Sequence, residues 1–313
     1  MRVTCLGSTR LIGPATIGAL RRAGHEVILV HRGAYEVRPA DVDERRADRG
    51  EAGAFREAVR ATRPDAIVDL RAMTRVQAEV AAGIVDVPYV VLSSQDVYAQ
   101  FGTLNGLPGP APEALITEAS PLTVPYPFRG IAEHSGGPDY DKKDVEAVYE
   151  CAGGAVTVLR LPAVYGRGDP RRRFGVVLDA LDAGERELPR AGGRLRWTFG
   201  HVDDIATAIG RTVAAPSDGY RCFNVGESHA WSMSEWAERI GDTIGVSFSW
   251  REVDPLGDPL DEAWGLWGPV PNDVVVDSSR FRSEIGVGEE TSEAERLTDL
   301  VSGLRESRPS KSG

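Results

Sequence analysis

Residues 2–6 form a short, mostly apolar run, and similar runs return at 26–30, 66–70, 87–92 and 156–161. Short apolar runs bounded by turn residues are the pattern of strands buried on both faces. Between them the hydrophobic positions shift to a helical period, so residues 14–23, 54–61, 74–83 and 141–151 read as amphipathic helices. Strands alternating with helices of this length predict an α/β fold: a doubly wound parallel sheet with helices on both faces.

The alternation breaks twice. From Ala99 to Asp139 the chain is dense in Pro and Gly with little periodicity. A connection that long inside a compact domain is functional or mobile, so we read it as a flap over a site, against the alternative of a disordered surface insertion. After Arg171 the pattern becomes helix, Gly-rich hairpin, helix and mixed segments, which predicts a smaller α+β lobe. The division expected is a sheet domain over residues 1–170 with a return segment near 201–228, and a second lobe formed mainly by 171–313.

The first strand leads into Gly7-Ser8-Thr9-Arg10-Leu11-Ile12-Gly13 and then into the first helix. That context gives a glycine motif its meaning. Gly7 permits a tight turn and Gly13 close packing of helix on strand, so free N–H groups of the helix can point at a pyrophosphate. This is the Rossmann arrangement for dinucleotides. At the end of the second strand a carboxylate would bind a ribose 2′-hydroxyl, but the chain has His31-Arg32-Gly33. Arg32 and Arg10 together suit a phosphate dianion, so NADP is expected over NAD.

Composition narrows the partners. Lys and Arg total 36 against 47 Asp and Glu, a net charge of −11, which disfavours nucleic acid and anionic membrane. At 42% hydrophobic, the chain has enough apolar mass for a large core. Cys5, Cys151 and Cys222 are scattered, without the spacing of a metal site, and read as buried free thiols. No apolar stretch reaches the roughly 20 residues needed to cross a bilayer. With no leader-like N-terminus, the expectation is a cytoplasmic protein.

Five ordered segments resemble the extended short-chain dehydrogenase family, which includes epimerases, dehydratases and ketoreductases. They are the glycine turn, Val91-Leu92-Ser93-Ser94-Gln95-Asp96-Val97-Tyr98, Leu159-Arg160-Leu161-Pro162-Ala163-Val164-Tyr165-Gly166, Gly200-His201-Val202-Asp203-Asp204-Ile205-Ala206 and Phe223-Asn224-Val225-Gly226. The resemblance implies cofactor contacts at Gly7, Thr9, Arg10, Leu11, Ile12 and Gly13, an adenine-side acid at Asp48, backbone beneath the cofactor at Leu70, Arg71 and Ala72, and a nicotinamide contact at Leu161, Pro162 and Ala163. Arg10 departs from the family's usual glycine; atypical subgroups similar to the chloroplast stem-loop-binding group share Thr-Arg here, and an RNA-binding role by that analogy is disfavoured by the net charge. The resemblance also implies a homodimer through helices near residues 76–83 and 145–151.

The family's chemistry needs a Ser or Thr to hold the reacting oxygen, a Tyr to move its proton, and a Lys four residues later that lowers the Tyr pKa and binds ribose. Ser94 falls on the first and Lys142 on the last. That register places Pro138 where the Tyr belongs, with Tyr140 two residues before Lys142. Positions two apart do not face each other on a helix, so either Tyr140 enters by a non-helical approach or the relay is altered. Asp96 stands where the family's dehydratases carry a Glu base. His201 is expected to be structural, and Trp197, Trp250, Trp264 and Trp267 to pack in a core or interface, against the alternative of stacking on a sugar or aglycone in the second lobe. The leading expectation is an NADP-dependent oxidoreductase or epimerase acting on a hydroxyl or ketone of a sugar-like or other polar small molecule. The alternatives are a catalytically silent dinucleotide-binding sensor, or a dehydratase using Asp96 as base.

Overall fold

The computed structural model describes residues 1–7, 10–33, 42–132, 134, 136–191, 194–254, 262–268 and 270–308. The elements run β1 (Arg2–Leu6), α1 (Ile12–Arg22), β2 (Glu26–His31), β3 (Asp43–Arg46), α2 (Ala52–Ala61), β4 (Ala66–Asp69), α3 (Arg75–Ala81), β5 (Tyr89–Ser94), α4 (Ala99–Leu104), α5 (Lys142–Ala152), β6 (Val156–Leu161) and β7 (Ala163–Tyr165). Then follow α6 (Gly175–Asp182), β8 (Glu187–Arg190), β9 (Phe199–His201), α7 (Val202–Ala214), β10 (Tyr220–Asn224), α8 (Met233–Thr243), β11 (Ser249–Glu252), α9 (Ser279–Ile285) and α10 (Glu293–Glu306).

Seven strands form one parallel sheet in the order β10-β6-β5-β4-β1-β2-β3. The order reverses between β1 and β4, the switch point at which doubly wound sheets open a crevice at the strands' C-terminal ends. Register brings those ends together: Leu6 pairs with Val30 and Asp69, and Ser94 with Leu161. β1, β2, β4, β5 and β6 are almost wholly buried and mostly apolar, as strands covered on both faces require, while the edge strand β3 is charged and largely exposed. On one face, Ile17 and Leu20 of α1 and Ile205, Ile209 and Val213 of α7 share a core with Val3, Leu29 and Val68. On the other, Phe55, Val59, Ala78, Val145 and Tyr149 pack under Ile67 and Val91.

Another core joins Phe174 at the start of α6, and Leu178, Phe199, Trp236, Leu300 and Leu304 of α6, β9, α8 and α10, with Trp267 of the short 3-10 turn Glu262–Trp267. The Gly-rich hairpin expected after Arg171 does not form: β8 pairs in parallel with β11, and β9 in parallel with β7. Pairing partners distant in sequence supply this lobe's ladders, and local pattern carries no signal for them. Cys5 is buried and Cys222 half-buried, but Cys151 is exposed, correcting the expectation of three buried thiols; it lies on the outward face of the last turn of α5. Among the described residues no helix is long and apolar enough to cross a membrane.

Candidate active site

Gly7 takes φ +85°, and a Cβ there would stand 2.7 Å from Cβ of Arg71, so the turn and the β4 exit touch at a point only glycine allows. Gly13, buried in α1, donates its N–H to the Arg10 carbonyl at 2.9 Å. Leu11, the N-cap of α1, has φ 35°; among the described residues no side chain caps this helix, and no acid lies in its first turn. By contrast, Thr74 caps α3, Asp141 caps α5 and His201 caps α7 with their own side chains. Leu11 and Ile12, both half-buried, put the free N–H groups of α1 at the crevice mouth, which fits a pyrophosphate. Thr9, expected as a turn contact, lies outside the described residues.

Around that mouth Arg10, Arg32 and Arg71 are all exposed. Burial, then the charges of Arg32, Arg10 and Arg49, push the Arg71 guanidinium down, so these cations repel one another across the cleft. Arg71, expected to contribute only backbone, also sets its side chain against Gly7 at the end of β1. His31 is buried, accepting from Gly33 N at 2.8 Å and meeting the Glu44 carboxylate at 3.2 Å. Asp48 is exposed and accepts from Gly50 N at 2.8 Å. Leu70 and Ala72 flank Arg71, their backbone fixed by Asp69, whose Oδ1 accepts from the N–H of Arg71 and of Ala72 at 3.0 Å each. Leu161 and Pro162 are buried and Ala163 half-buried, emerging beside Ser94.

The proton chemistry gathers one strand over. Ser94 ends β5 and accepts from Asp96 N at 3.3 Å. Asp96 is buried, and its carboxylate accepts from Tyr126 Oη at 2.5 Å and Tyr140 Oη at 3.0 Å. Tyr140 precedes the N-cap Asp141, so it reaches the site from outside α5, by the non-helical approach. Gly136 makes room: a Cβ there would sit 2.4 Å from the Tyr140 ring. Lys142, the first residue of α5, is buried and donates from Nζ to the carbonyls of Ala72 at 2.6 Å and Leu92 at 2.9 Å, at the ends of β4 and β5. Burial lowers it to about 8, against the charges of Asp69 and Asp96.

Tyr126 was missed because it sits in the aperiodic stretch. The segment after α4 is folded down on the site by Thr123 N to Val97 O at 2.8 Å, Lys143 Nζ to Thr123 O at 2.6 Å and Arg129 to Asp141 at 2.9 Å. Met73, Phe101, Phe128 and Trp197 surround the phenols, all half-buried. Behind Ser94 a buried network locks the strand ends: Ser93 donates to Glu146 at 2.5 Å, Arg160 pairs with Glu146 at 2.7 Å, and Tyr98 donates to Asn224 at 2.6 Å. His201 is buried, paired with Asp299 at 3.1 Å. Trp264 and Trp267 are buried in the core around Trp236, while Trp250 is half-buried against Arg190. Among the described residues no group of His, Cys, Asp and Glu could hold a metal ion.

A parallel sheet with a glycine turn at its switch point and a Ser/Tyr/Lys set beside it defines a dinucleotide-dependent oxidoreductase architecture of the short-chain dehydrogenase type. The chain belongs to the NAD dependent epimerase/dehydratase family, whose model matches residues 3–101 and 142–226. It is similar to the 3-diazoavenalumate denitrifying reductase of a Streptomyces species, 29% identical over 262 residues, covering 79% of this chain and 82% of that one. It is also similar to the 2′-dehydrokanamycin reductase of Streptomyces kanamyceticus, 27% identical over 273 residues, covering 84% of this chain and 71% of that one. In fold it resembles the dTDP-glucose 4,6-dehydratase of Bacillus anthracis solved with NAD, with a TM-score of 0.72 at 15% identity, over 98% of this chain and 97% of that chain.

Proposed function

We propose that this protein is an NADPH-dependent reductase of a ketone on a polar small molecule. The observation that carries the reading is the set of exposed Arg10, Arg32 and Arg71 at the cofactor turn, where Gly7 abuts Arg71, the charges of Arg32 and Arg10 act against the Arg71 guanidinium, and Glu44 meets His31. A 2′-phosphate relieves that repulsion by charge-assisted bonds; a bare ribose does not. Gly7 and the uncapped start of α1 would hold the pyrophosphate, Asp48 the adenine, the 70–72 backbone and Lys142 the ribose side, and residues 161–163 the nicotinamide amide. The cofactor supplies a hydride when bound. Ser94 orients the carbonyl oxygen and Tyr140 stands beside it as proton source.

Both carboxylate oxygens of Asp96 already accept phenolic protons, which leaves it poorly placed as a base at carbon and favours reduction over dehydration. The retained Tyr140 hydroxyl speaks against a silent sensor. The relatives named as reductases, one of them for an oxidised aminoglycoside, support a keto-sugar-like substrate class.

The test is fluorescence titration with NADPH and NADH of the wild type, Arg32→Ala and Arg71→Ala. NADPH should bind tighter, and each substitution should cost NADPH about tenfold or more while leaving NADH nearly unmoved, as expected for losing one hydrogen bond to a charged group. Equal binding of the two dinucleotides, or variants with an intact preference, overturns the cofactor assignment.

A further inference from the structure

Resting on the reductase reading, we propose that Asp96, Tyr126 and Tyr140 form one proton-donating unit, in which Tyr140 gives its proton to the substrate oxygen and Tyr126, from the overlying segment, is the positioning residue that sets how tightly Asp96 holds the replacement proton.

A phenol has a single O–H to donate. Tyr126 spends its proton on Oδ1 of Asp96 and Tyr140 spends its own on Oδ2. While Asp96 is ionised, neither tyrosine can donate to a carbonyl. When Asp96 carries a proton, its carboxyl group donates to the Tyr140 oxygen and the Tyr140 proton turns outward. The reducing form therefore holds one proton more than the set with Asp96 ionised. In the step, the carbonyl carbon accepts hydride from the reduced nicotinamide dinucleotide, and the C=O π pair moves to oxygen. That oxygen takes the Tyr140 proton and Tyr140 takes the Asp96 proton. Asp96 is left as carboxylate, to be reprotonated from solvent.

The surroundings favour the protonated form of Asp96 more than water does. Burial raises its pKa, and the hydroxyls of Tyr126, Tyr140 and Ser94 and the Lys142 charge pull against that rise without cancelling it. Burial and the Asp96 charge push Tyr126 and Tyr140 well up, so neither forms phenolate near neutral pH. Among the described residues the other groups facing the set are Lys143, 5.7 Å over the Tyr126 ring, and His134, whose ring lies 4.2 Å from that of Tyr140. Lys142 is tied to two backbone carbonyls, and the Tyr140 hydroxyl is directed to Asp96 instead. The carboxyl thus does here what a Tyr–Lys pair does when the Tyr stands four residues before the Lys.

The test is a carbon-13 NMR titration of protein labelled at the aspartate carboxyls, with and without NADPH, the Asp96 signal being assigned by its loss in Asp96→Asn. The Asp96 midpoint should lie above the usual value of about 3.9. Tyr126→Phe should raise it by about one pH unit, because the carboxylate loses a hydrogen-bond donor. The descending limb of the pH profile for NADPH-dependent reduction of 9,10-phenanthrenequinone should move up with it, at nearly unchanged KM. Tyr140→Phe should raise the midpoint likewise and lower kcat at every pH. An Asp96 midpoint at or below the usual value, or one that Tyr126→Phe leaves in place or lowers while NADPH still binds, overturns the proton unit alone. Absence of NADPH binding by the wild type overturns the reading on which it rests.

Discussion

Asp69 is the residue on which the floor of the cofactor cleft depends, and Asp69→Ala should expose that dependence. It is fully buried at the end of β4 and accepts five hydrogen bonds: from Arg49 Nη1 and Nη2 at 2.9 and 2.5 Å, from Tyr149 Oη at 2.5 Å, and from the N–H of Arg71 and Ala72 at 3.0 Å each. Burial works against its charge, but Arg49, Tyr149 and the Arg71 N–H outweigh burial and hold its pKa below the ordinary value. Alanine leaves Arg49, itself largely buried, with the Gln77 carbonyl at 3.1 Å as its other acceptor. Removing one partner of a buried ion pair costs about 3–5 kcal/mol. With an unfolding entropy of about 2.1 cal/mol/K per residue, that lowers the melting midpoint of a chain this long by roughly 5–8 °C. Urea unfolding of Asp69→Ala, Arg49→Leu and the double variant measures it; the double variant should lose at least about 1 kcal/mol less than the two single losses added. Because the folded pKa is depressed, the stability Asp69 contributes is fully present above the unfolded value of about 3.9 and fades as pH falls through the folded value. The gap between wild type and Asp69→Ala should therefore hold from neutral pH to about 4 and close below it. A loss under about 1 kcal/mol at neutral pH, or strict additivity, would refute the reasoning.

Two further outcomes follow from the same cleft. Gly7→Ala places a methyl group 2.7 Å from Cβ of Arg71 at φ +85°, so isothermal titration should show NADPH affinity reduced at least about tenfold, with a stability loss of roughly 1–3 kcal/mol. Lys142 falls from 10.5 to about 8 on folding, so between those values the unfolded chain binds more protons and wild-type stability should rise with pH. Lys142→Met should lack that rise, and an identical pH slope in the two proteins would count against a buried, proton-poor Lys142.

The local grammar of the sheet domain is carried by the sequence alone. Apolar runs such as Ala66–Asp69 and the helical period of Ile12–Arg22 specify their elements because burial on two faces, or on one, restricts residue type at every position. Gly7 and Gly13 mark the turn because their backbone positions tolerate no side chain or need close packing. Ser94 and Lys142 sit at strand and helix ends where motif spacing can find them. What the tertiary structure decided is which side chains meet. Arg71 joins Arg10 and Arg32 only because β1 lies between β4 and β2 in the sheet. Tyr140 answers to Asp96, 44 positions away, because it precedes α5 where no helical spacing applies. Tyr126 lies in a stretch whose path is set by contacts with α5 and with the residues after β5. The parallel pairing of β8 with β11 has the same origin. Proton position depends on distances of a few ångströms between residues far apart in the chain, and a sequence encodes such distances only through the whole packed fold.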